Sequence, residues 1–135
     1  FSALIINWIS MNENELSYFS EEDLPFALHD LMEEYGLDKA CVHTSEMSYS
    51  ITKNLVENEL YSLLTGNGLA AFRARHGRFP NRNELNAILS EKVKYGHKRF
   101  VGYHLYWCYS FAKECRYSLG LGDAFCAGYV FSQSS

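Results

Sequence analysis

The segment Gly77-Arg78-Phe79-Pro80 forces a corner into the chain. Proline locks its own φ and offers no amide proton, and the residue before it avoids helical angles. A helix over Leu69 to His76 therefore has to stop at Gly77. A new helix has to start on the far side, capped by Asn81 or Asn83 near Glu84. Its apolar positions, Leu85, Ile88, Leu89 and Val93, carry it to Tyr95-Gly96. Two helices meeting across a turn result, and the rest of the chain has to pack around them.

Upstream, residues 20–36 predict a helix. Ser20 and Asp23 supply capping side chains, and Pro25 sits where a first turn tolerates it. Leu24, Ala27, Leu28, Leu31, Met32 and Tyr35 repeat at three and four, and Gly36 ends the pattern. A second helix is expected from Ser45 to about Leu64, with Met47, Ile51, Leu55, Leu60, Leu63 and Leu64 on its core face. Thr65-Gly66-Asn67-Gly68 reads as its breaker. Residues 98–118 read as a fifth helix, apolar nearly all round through Phe100, Tyr103, Tyr106, Trp107, Tyr109, Phe111 and Tyr117. Such a helix is the buried centre of a bundle. Residues 39–44 fit either a strand or a helical turn, and Ala124 to Phe131 either a short helix or a strand. The expected fold class is mainly α: a compact bundle of five or six helices, with room for one short strand pair (α+β) made from 39–44 and 124–131.

At 135 residues and 47% hydrophobic, the chain can bury a core as one domain, 1–135, without a disulfide or a metal. This composition excludes intrinsic disorder and collagen-like repeats. No apolar run nears the roughly 18 to 20 residues that span a bilayer. Phe1 to Ile9 lacks the basic start and the small-residue cleavage site of a signal peptide. Cys41, Cys108, Cys115 and Cys126 are read as reduced, mostly buried thiols in a cytoplasmic protein with no membrane contact.

The net charge of −4 conceals a division. Residues 1–66 carry twelve acids and two bases, and residues 67–135 carry ten bases and four acids. Such asymmetry leaves several readings open: halves that neutralise each other, a polyanion or protein partner, or a homo-oligomer paired head to tail. Arg73, Arg75, Arg78 and Arg82 flank the proline corner, with Lys94, Lys98 and Arg99 beyond it. These are the candidate partner-binding residues, because phosphate contact needs several cations on one face. Phe79, Tyr95 and Phe100 lie between them for stacking on unpaired bases. The acidic half, Glu33 and Glu34 included, could instead imitate a phosphate track and block a nucleic-acid-handling protein.

His104, Cys108 and Cys115 share one face at helical spacing and are zinc-ligand types. With no Cys-x-x-Cys present they are read as a core stripe, so neither metal nor cofactor is expected. Gly-x-Ser-x-Gly, P-loop, His-Glu-x-x-His and dinucleotide motifs are all missing from the sequence.

Two short segments resemble known elements. Gly77-Arg78-Phe79-Pro80, followed by Asn81-Arg82-Asn83-Glu84-Leu85, resembles the G-R-x-P-T-x-x-E-L element of small helical DNA-binding modules such as sigma-factor regions. That resemblance implies nucleic acid as a partner. Gly120-Leu121-Gly122-Asp123-Ala124-Phe125 resembles the G-A-G-D-x-F signature of ribokinase-like sugar kinases. The second resemblance implies that Asp123 is the base for an attacking hydroxyl and that Gly120 and Gly122 form an anion cradle. Tyr117-Ser118 stand where that family has Asp-Thr.

The expectation is a small, non-enzymatic binding or regulatory protein. Its helix-turn-helix-like corner, 73–99, would meet an anionic partner, either nucleic acid or an acidic protein face. The alternatives are an acidic inhibitor of a nucleic-acid-handling complex and a small phosphoryl-transfer enzyme that uses the Gly120–Asp123 turn.

Overall fold

The computed structural model describes residues 3–7, 24–44, 46–111, 117 and 121–133. After β1 (Ala3–Asn7) comes α1 (Leu24–Tyr35), which forms where its apolar spacing predicts. Leu24, Leu28 and Met32 bury one face of it, and Gly36 closes it at φ 65°. The Leu37 amide bonds back to the Met32 carbonyl at 3.0 Å. Then follow β2 (Lys39–His43), β3 (Met47–Thr52), α2 (Glu59–His76), α3 (Arg82–Leu89), β4 (Tyr95–Phe100), β5 (Tyr103–Tyr109) and α4 (Leu121–Gln133).

The strands make one sheet in the order β1-β2-β3-β5-β4. β1 and β2 run parallel, with α1 between them in the chain, and the other neighbouring pairs are antiparallel. Both faces are covered. On one, α1 packs Leu24, Leu28 and Met32 against Ala40, Val42, Met47, Tyr49, Ile51 and Leu105. On the other, Leu63 and Ala70 of α2 and Phe125 and Tyr129 of α4 cover Cys41, Tyr106 and Cys108.

The helical bundle is thus corrected to an α+β fold, with four helices and a five-stranded sheet among the described residues. Three segments account for the error. First, residues 98–118 are not one helix. Their described part is a hairpin, β4–β5, turned by Val101 at φ 49° and Gly102 at φ 83°. Two successive left-handed residues are what a tight two-residue hairpin loop requires. Tyr, Trp and Phe are weak helix formers that suit a pleated surface. β5 lies between β3 and β4 with side chains in two cores, and a strand buried on both faces is as apolar throughout as a central helix.

Second, the helix expected from Ser45 is a strand over Met47–Thr52. Met47, Tyr49 and Ile51 alternate with Ser48, Ser50 and Thr52, which is a period of two. The apolar set packs with α1, and Ser50 bonds Glu59 of α2 on the other face. Third, Gly66-Asn67-Gly68 breaks nothing. α2 runs through it and ends at Gly77, φ 70°, whose amide bonds the Arg73 carbonyl at 2.7 Å. Residues 39–43 do form a strand, but it pairs with β1 and β3, whereas 124–131 lies within a helix.

The proline corner does start a new helix. The Asn81 side chain accepts from the Glu84 amide at 2.9 Å, and Glu84 accepts from the Asn81 amide at 3.0 Å, a reciprocal capping box. Asn81→Ala is expected to cost about 1 kcal/mol in urea unfolding. An unchanged midpoint would mean that the Phe79-Pro80 corner alone sets the start of α3. Among the described residues, no helix is long and apolar enough to cross a membrane.

Candidate functional site

Because β1 and β2 are parallel, their C-terminal residues Asn7 and His43 lie at one edge of the sheet. Ligands of open α/β sheets collect outside such strand ends. α4 begins at the same edge. It runs antiparallel to α2, since Asn58 and Ser62 before and within the first turn of α2 bond Ser132 and Gln133 at the end of α4. Phe125, near the start of α4, stacks on His43 with ring centroids 4.3 Å apart and planes within 3°.

α4 can approach this closely because two glycines meet where it crosses α2. A Cβ on Gly66 would lie 2.7 Å from the Phe125 ring. A Cβ on Gly128 would lie 2.8 Å from the Thr65 carbonyl oxygen and 3.0 Å from the Gly66 Cα. The first turn of α4 then buries Gly122 and exposes Asp123. First-turn amides have no partner within their own helix and sit at the positive end of its dipole, so this end suits an anion. Gly120, the other half of the expected cradle, lies outside the described residues.

Behind the turn is a buried polar niche. Burial pushes the His43 imidazole down to about 4, so the ring is neutral near pH 7. His43 Nδ1, Ser48 Oγ and Asn67 Oδ1 are buried without a hydrogen-bond partner among the described residues. His43 is the register partner of Ser48, and Ser48 that of Cys108. Asn67 Nδ2 donates to the Cys108 and Tyr109 carbonyls at 3.2 and 3.3 Å. Buried atoms of this kind are ordinarily met by ordered water. The sequence carried one weak signal for this niche: polar residues at the ends of otherwise apolar strands.

The opposite edge of the same layer holds a buried ion pair that sequence reasoning missed. Lys39 Nζ lies 2.7 Å from Glu59 Oε2, with both side chains almost fully enclosed. Glu59 also accepts from Ser50 Oγ at 2.5 Å, from Gln133 Nε2 at 3.0 Å and from the Tyr129 hydroxyl. One carboxylate thereby ties β2, β3, α2 and α4 together. Burial, reinforced by neighbouring Glu59, raises the Cys41 thiol well above its ordinary value.

The expected partner-binding cations are spread over α2, the proline corner, α3 and β4. Arg75 bonds Glu91 at 3.2 Å and the Phe111 carbonyl at 2.7 Å. Arg78 forks onto Glu84 at 3.0 and 2.7 Å and lies over the Phe72 ring. Arg73 lies over the Phe79 ring, 5.1 Å from its centroid. Arg82 and Lys94 are exposed, on α3 and just before β4 respectively. Lys98 and Arg99 are consecutive on β4 and so point to opposite faces, with Arg99 beside its register partner His104. Among the described residues, the carboxylates that meet Arg75 and Arg78 come from the loop after α3 and from α3.

Cys41 and Cys108 are buried free thiols, and Cys126 is half-buried. Burial pushes Cys108 up to about 11. His104 and Cys108 sit on a strand rather than a helix, and Cys115 lies outside the described residues. No group of three or more His, Cys, Asp or Glu among the described residues could hold a metal ion.

No protein-family model matches the chain, and no curated protein matches it. Solved structures do. The chain is similar to the last common ancestor of ADP-dependent phosphofructokinases from Methanosarcinales, with a TM-score of 0.73 and 17% identity over 97% of this chain and 36% of that one. A phosphofructokinase from Pyrococcus horikoshii OT3 with AMP gives 0.72 and 22% identity, over 98% and 36%. An ADP-dependent kinase in complex with fructose-6-phosphate and ADPβS gives 0.72 and 17%, over 97% and 38%. The chain spans about a third of the length of these proteins.

The likeness establishes the fold. It overturns the expectation of a non-enzymatic helical binding protein, because the architecture is that of a part of ADP-dependent kinases. Nothing in it supports a regulatory or inhibitor role.

Proposed function

We propose that the chain is the portion of a nucleotide-dependent kinase that carries the phosphate end of the active site. The donor is a nucleoside diphosphate and the acceptor a hydroxyl of a sugar phosphate. Asp123 takes the proton of that hydroxyl as its oxygen attacks phosphorus. The new P–O bond forms while the bond from phosphorus to the leaving nucleotide's bridging oxygen breaks. Amides of the turn around Gly120 and Gly122, with the positive end of the α4 dipole, meet the charge on the transferred group.

The observation that carries this reading is positional. Leu121, Gly122 and Asp123 of the sequence's one Gly-x-Gly-Asp segment form the first turn of α4, at the C-terminal edge of the parallel strand pair. Its fold is shared with ADP-dependent phosphofructokinases. Asp123 is exposed, so its carboxylate is open to an incoming hydroxyl.

Transfer of the β-phosphoryl from labelled ADP to fructose 6-phosphate tests it. Asp123→Asn is expected to lower turnover on the order of a hundredfold or more while ADP still binds. Turnover within a few-fold of the parent would remove Asp123 from the role of base. A parent protein that transfers nothing from ADP to this acceptor would overturn the substrate assignment.

A further inference from the structure

We infer that His43 is a positioning residue for the base assigned to Asp123: its ring props Phe125 and so sets the first turn of α4. Only the word base rests on the kinase reading; the rest stands on geometry.

Phe125 follows Asp123 by two residues and is completely enclosed. It is held by two contacts. The His43 ring lies flat against it at the end of β2, and Gly66 of α2 meets its ring and carbonyl with no room for even a methyl group. A helix rises only 1.5 Å per residue, so fixing Phe125 fixes the backbone of Asp123, about 3 Å away along the helix axis.

The far end of α4 has its own tether, through Tyr129 and Gln133 onto Glu59. His43 is the tether at the near end. Without it, Phe125 keeps its contacts with Gly66 and its core neighbours but loses its flat support at the end of β2, so the first turn of α4 gains room to tilt. Displacements of about 1 Å at a reacting group can cost on the order of a hundredfold in rate. Replacing His43 should therefore damage catalysis while leaving the acceptor's own contacts intact.

The test compares His43→Leu, which removes the flat ring, with His43→Phe, which keeps one. In native-state hydrogen exchange, His43→Leu is expected to speed amides 125–128 about tenfold relative to those of α2. In the transfer assay it should lower kcat about tenfold with KM for the acceptor within about twofold. His43→Phe should bring both readouts back to within about threefold of the parent. Exchange that rises equally in α2, β2 and α4 would overturn the inference, and so would a His43→Phe variant no better than His43→Leu. Exchange is read without any turnover, so failure of the Asp123→Asn test sinks the kinase reading separately from this one.

Discussion

Glu59→Ala is expected to remove about 3 to 5 kcal/mol of folding stability. The carboxylate is the shared acceptor of Lys39, Ser50, Tyr129 and Gln133, and it is wholly enclosed. Removing it takes the carboxylate from an ammonium group whose side chain is only 3% exposed and which otherwise bonds the neutral Gln133 amide oxygen at 2.8 Å. A buried ion pair adds little over an apolar pair of the same shape, because desolvation offsets most of the attraction, but a buried charge left alone is costly. The control follows from that asymmetry: Lys39→Met with Glu59→Leu should recover most of the loss. A domain of this size holds roughly 5 to 15 kcal/mol in total, so the single variant should unfold at a much lower urea concentration. A loss under about 1 kcal/mol would show that the network is not what joins these four elements.

Gly128→Ala is the second large effect, and here two terms oppose each other. Alanine is the better helix former by about 1 kcal/mol, so a solvent-facing glycine in a helix would gain from the change. At position 128 the new methyl would lie 2.7 Å from Leu69 Cδ1, 2.8 Å from the Thr65 carbonyl oxygen and 3.0 Å from the Gly66 Cα. Leucine can rotate away but backbone cannot, so α2 and α4 must separate. Forcing an extra carbon into a packed contact costs roughly 1 to 3 kcal/mol, and more where backbone has to move. The clash outweighs the propensity gain, and we expect a net loss of about 2 kcal/mol in thermal or urea unfolding. A stabilised Gly128→Ala would mean that the helices do not touch at this crossing.

Local chemistry was legible in the sequence and tertiary context was not. The first helix was readable because three buried residues at intervals of four, a terminal glycine and a tolerated proline agree with one another. The corner at Pro80 was readable because the backbone restriction is absolute and Asn81 with Glu84 form a capping box. Gly66-Asn67-Gly68 misled because its glycines answer to other helices, Gly66 to Phe125 of α4 and Gly68 to Leu85, Ile88 and Leu89 of α3, and no local pattern reveals either contact. Tyr103 to Tyr109 misled because a strand with a core on each face loses the alternation that marks a half-buried one. Ser48, Ser50 and Thr52 were the available correction, since their strict alternation with Met47, Tyr49 and Ile51 cannot be a helix face.

The candidate site was only half legible. Gly120 to Asp123 stood out by motif, yet a glycine turn is common and acquires meaning only from its place at the strand ends. His43 gave no such sign. Its role depends on a ring 82 positions further along, brought over it by the packing of α4 on α2. The arginines of the corner attracted notice as a charge cluster. Their actual occupation, Arg75 on Glu91 and Arg78 on Glu84, depends on which carboxylates α3 and its following loop bring round.

β1 ends the sheet on its side, with no second strand along its outer margin among the described residues. That margin is a row of hydrogen-bonding groups ready to template another strand. Its direction matters. A newcomer that continues the parallel sense cannot be joined by a tight turn and has to be reached through a crossover of a dozen or more residues, usually a helix. A strand added at this rim in the parallel sense would therefore come as a strand-and-helix module, with a new loop at one edge of the sheet.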